Sequence, residues 1–124
     1  SAGIMFYPDS GLLAISTETD NEYVEPLIQE VYHEIDRLHQ EPVSAEELTI
    51  VRNYMLGEMC RSYESPFSLS DAWIFIATSG LDDDYFSRSL LAVNEVTPME
   101  IQDLAQRYLC KETLKEVIAG KKLS

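Results

Sequence analysis

The first seventeen residues hold two β-prone runs, Ser1-Ala-Gly-Ile-Met-Phe-Tyr7 and Leu12-Leu-Ala-Ile-Ser-Thr17, on either side of Pro8-Asp9-Ser10-Gly11. Proline presets φ, while Asp, Ser and Gly favour tight turns, so the segment predicts a β-hairpin with strands at Gly3–Tyr7 and Leu12–Thr17. Apolar residues fill alternate and intervening positions of both runs, so neither face is made for water. A two-faced apolar hairpin calls for more sheet beside it.

Beyond Thr17 the period changes. Val24, Leu27, Ile28, Val31, Ile35 and Leu38 form the stripe of an amphipathic helix over Glu22–His39. Pro26 lacks an amide and crowds the carbonyl four residues back, so the regular ladder either begins near Tyr23 or kinks there. Ser44-Ala-Glu-Glu47 is a capping-box pattern opening a second helix over Ala45–Tyr63. Its expected inner stripe is Leu48, Val51, Met55 and Met59, flanked by Tyr54 and Leu56. Ser65-Pro66 supplies an N-cap and a proline at the first helical position of a third, mostly apolar helix that ends at Gly80 and is expected to be the most buried. Leu81-Asp-Asp-Asp84 puts carboxylates at the positive end of a short fourth helix. Thr97-Pro-Met-Glu100 opens a fifth. The β-branched segment Thr113–Gly120 is expected to be a third strand, and residues 121–124 to fray.

The chain therefore reads as one domain, residues 1–124, with element order β-β-α-α-α-α-α-β. This is an α+β fold, in which a small antiparallel sheet, the N-terminal hairpin plus the C-terminal strand, packs against about five helices. Five helices for three strands, and an opening directly in a strand, suggest a fragment of a larger α+β domain.

Charge excludes one class of partner. Nine Lys+Arg against 22 Asp+Glu leave a net charge of −13, which repels phosphate backbones, and Lys111, Lys115, Lys121 and Lys122 are scattered at the end, so no nucleic acid is expected. The longest apolar run, Ala72–Ala77, is far below the roughly 20 residues that cross a bilayer, so no membrane span or signal peptide is expected, and the compartment is left unassigned. Cys60 and Cys110 allow one bridge, but the simpler expectation is two buried thiols.

The residues that invite a chemical reading do not assemble into a site. Both histidines, His33 and His39, fall on the first helix. Glu30 and His33 make one Glu-x-x-His pair, whereas a helical di-iron site needs two pairs and further carboxylates. His33-Glu34 begins like His-Glu-x-x-His, yet His39 follows six residues later, about 240° round the helix. Solvated histidines on a polar face, with charge partners such as Glu34, are expected instead. Cys60 and Cys110 lack a neighbouring base, and no Gly-x-Ser-x-Gly or Ser-x-x-Lys pattern occurs. Asp82-Asp83-Asp84 lacks the spaced ligands and central glycine of a calcium loop. Phe67, Trp73, Phe75, Tyr85 and Phe86 are expected to be core.

The order of phrases supplies a different clue. Glu34-Ile-Asp-Arg-Leu38, Glu41-Pro-Val-Ser-Ala-Glu-Glu-Leu48 and Val51-Arg-Asn-Tyr-Met-Leu56 are similar to the helix pair that follows a strand in the insulinase/pitrilysin/mitochondrial processing peptidase family. Gly80-Leu-Asp-Asp-Asp-Tyr85, Val93-Asn-Glu-Val-Thr-Pro98, Ile101-Gln-Asp-Leu-Ala-Gln-Arg-Tyr108 and Val117-Ile-Ala-Gly120 resemble the closing half of that family's repeated domain. Such proteins pair a catalytic domain, with zinc on a His-x-x-Glu-His helix, with a related domain that binds no metal and helps enclose peptide. This sequence has no His-x-x-Glu-His, so the resemblance implies the later part of the non-catalytic domain. It implies a zinc metalloendopeptidase as parent, with zinc in the parent's catalytic domain and no cofactor here, and it implies the catalytic domain or subunit and peptide substrate as partners. The arginine and tyrosine that the family's second domain offers to substrate have no match, so catalytic and metal residues are assigned as none and substrate-binding residues stay unassigned. The alternative reading is an independent interaction module that forms a homodimer through an exposed hairpin edge.

Overall fold

In the computed structural model, residues 1–7 and 9–120 are described; the proline of the turn and the expected fraying of residues 121–124 lie outside the described residues. The strands are β1 (Ala2–Tyr7) and β2 (Ser10–Ile15), and the helices are α1 (Val24–Gln40), α2 (Ala45–Arg61), α3 (Pro66–Ser79), α4 (Tyr85–Glu95) and α5 (Pro98–Tyr108). Single 3-10 turns at Asn21–Tyr23 and Lys111–Thr113 precede α1 and follow α5. Among the described residues this is five α-helices and a two-strand antiparallel sheet, an α+β arrangement as the sequence implied.

Local chemistry explains the boundaries. Pro26 is the third residue of α1, where an amide has no acceptor in any case, so the ladder simply begins at Val24. At Ser44 the hydroxyl accepts the Glu47 amide at 3.1 Å. The full reciprocal box forms instead at α3, where Ser65 Oγ accepts the Ser68 amide at 3.0 Å and Ser68 Oγ accepts the Ser65 amide at 3.2 Å. Gly80 then takes φ 65°, a left-handed value that costs glycine little, and Leu81 N–H bonds back to the Ile76 carbonyl at 3.1 Å.

The chain divides into two compact units. The first contains Ser1–Phe6, Gly11–Val43 and the described residues from Met99 on, and buries Ile35 and Ala105. Here α1 meets α5: the Gln102 and Gln106 amides both donate to the His39 carbonyl, at 2.9 and 2.8 Å. The second contains Tyr7–Ser10 and Ser44–Pro98, and buries Leu48 and Ile76. Its α2 packs on α4. Tyr63, Phe75, Tyr85 and Phe86 make a chain of ring contacts with centroids 4.8 to 5.9 Å apart.

Several expectations are corrected. The segment after Thr113 is not a strand: a ladder needs a partner, and this stretch is held along α1 by side chains. On α2 the inward stripe is Leu48, Arg52, Leu56 and Met59, while Val51 and Met55 face out with Ile50 and Tyr54. The helix carries two apolar stripes, so spacing alone could not say which one packs. Nor is α3 the most buried helix: only Ser68, Ala72, Phe75 and Ile76 in it are even half-buried, fewer than in α1, while Phe67 is 84% and Trp73 46% exposed. These two rings are not core. The thiols are both free, as expected, but neither is buried, since Cys60 is exposed and Cys110 is half-buried.

Candidate functional site

The sequence's candidate ligands are dispersed. Glu30 and His33 are exposed on α1, and the carboxylate expected to serve His33 is engaged elsewhere, with Glu34 taking two bonds from Arg37 Nη1 at 2.8 and 3.0 Å. His39 is not solvated on a polar face: half-buried, it places Nε2 3.0 Å from the Ala105 carbonyl. A carbonyl can only accept, so Nε2 carries the proton and its lone pair is not available to a metal. Among the described residues no three His, Cys, Asp or Glu side chains come together as a cation site, and zinc does not fit this arrangement. Asp84, at the start of α4, pairs with Arg88 at 3.1 Å on the surface. Cys110 Sγ lies 3.6 Å from the Arg107 carbonyl at the end of α5.

Two polar arrangements that spacing did not single out organise the units. In the first unit, Lys111 forms an ion pair with Asp36 and sits 5.6 Å from the centroid of the Tyr32 ring, while the Tyr32 hydroxyl donates to Glu116 at 2.7 Å. The Glu116 bond, then partial desolvation and the same carboxylate's charge, hold the Tyr32 phenol above its ordinary pKa. Further on, Gly120 approaches the Asn21 side chain. Residues 111–120 thus run back along α1, antiparallel to it, from Asp36 to Asn21. In the second unit, Arg52 reaches the C-terminal end of α4, donating Nε to Val93 and Nη2 to Val96 carbonyls. The legible signal was an arginine set inside an otherwise apolar i, i+4, i+8 series.

What remains is surface. The chain exposes 9,964 Å². Apolar side chains make up conspicuous parts of it: Ile4, Phe6, Leu12 and Ile15 on the hairpin, Ile50, Val51, Tyr54 and Met55 on α2, Phe67, Trp73 and Ile74 on α3. One shallow, mostly apolar hollow lies in the second unit, lined by Leu56, Ser87, Leu90, Leu91 and Asn94. Apolar side chains exposed in groups of this kind are typical of surfaces that other proteins or domains cover.

Residues 1–55 match the family model described as the Peptidase M16 inactive domain, which bears out the peptidase-family resemblance over β1, β2, α1 and the first turns of α2. The phrases around Leu38, Leu48 and Val51 fall in that stretch, and those from Gly80 onward lie beyond it. No curated protein matches the chain, and no solved structure does. No helix among the described residues is long and apolar enough to cross a membrane.

Proposed function

We propose that this chain is a non-catalytic wall of a zinc-dependent peptidase, covering peptide in a chamber whose metal and reacting groups lie on another domain or subunit. The match of residues 1–55 to the inactive domain of M16 peptidases carries the reading. It is supported by the apolar stripes on α2 and α3, which ask for covering surface. Cross-linking the protein in lysate of its source cells, followed by mass spectrometry, tests it. The expected cross-links join α2 or α3 to a polypeptide segment carrying His-x-x-Glu-His. Chelator-sensitive peptide cleavage by the purified chain, restored by zinc, overturns the proposal.

A second reading, an interaction module that dimerises through the hairpin, is favoured by one observation. Among the described residues β1 and β2 pair with each other and with no further strand, so both outer edges are open. Sedimentation equilibrium tests it, a dimer being expected and a monomer at all concentrations excluding it.

A further inference from the structure

We draw no further inference here: the strongest candidate, the exposed apolar stripe of Ile50, Val51, Tyr54 and Met55 along α2, carries nothing because nothing in the structure shows what covers it.

Discussion

Arg52 Nη2 lies 2.5 Å from the Val96 carbonyl, and Nε of the same guanidinium lies 3.1 Å from that of Val93. A cation thus satisfies two terminal carbonyls of α4 and meets the negative end of its dipole. Replacing Arg52 with Ala orphans both carbonyls in a half-buried setting, so a loss of about 2–3 kcal/mol is expected in urea denaturation. Arg52→Lys recovers part of it, because an ammonium cannot span both acceptors.

The two histidines should separate cleanly. His39→Ala removes the bond to Ala105 and is expected to cost about 1–2 kcal/mol, whereas exposed His33→Ala is expected to stay within about 0.5 kcal/mol of wild type. Neither substitution is expected to change zinc content measured by native mass spectrometry.

Alkaline pH should release the chain's last turn. The Tyr32 phenol is raised above 10.0 chiefly by its bond to Glu116, so the folded state holds the proton more tightly than the unfolded state does. The bond therefore contributes fully below pH 10 and is lost as pH climbs through the raised value. Burial also raises the Tyr63 phenol, so ultraviolet titration of the seven tyrosines is expected to show late ionisation at both sites, which Glu116→Gln diminishes at Tyr32 and leaves at Tyr63, with faster tryptic cleavage after Lys115 in Tyr32→Phe at neutral pH.

The C-terminal cap of α3 gives a stability test unrelated to charge. Gly80→Ala forces a Cβ into the left-handed region at φ 65°, with an expected loss of about 1 kcal/mol of stability, read as a lower denaturation midpoint.

Trp73, the sole tryptophan, is 46% exposed, so its emission should be red-shifted and readily quenched by acrylamide. A blue shift on binding the catalytic domain that the proposed function calls for would place α3 at the interface, and an unquenchable, blue emission from the free chain would contradict its exposure.

Where capping chemistry is strong, the fold was legible in the sequence. Ser65-Pro66 and Gly80 bracket α3 as read, because those residues bond the backbone locally whatever else is nearby. The hairpin was also legible, from its turn residues. Burial was less so, since α2 and α3 are apolar on more than one side, and a stripe says that a face wants cover without saying what covers it. The Lys111–Asp36 and Tyr32–Glu116 contacts bridge distant stretches, and no period encodes them. As for a site, the sequence separated His33 from His39 by helix geometry, but it did not foresee that His39 would serve α5.

The two-sided α2 ties solubility to ionic strength. With Leu48, Arg52, Leu56 and Met59 packed, Ile50, Val51, Tyr54 and Met55 face water, and the surplus of anionic groups opposes contact between one molecule's stripe and another's. Raising salt from 0.1 to 1 M shortens the screening length from about 10 to about 3 Å and removes that colloidal protection. Light scattering should then climb with salt while helical content holds steady, a mark of sticky folded molecules and not of unfolded ones.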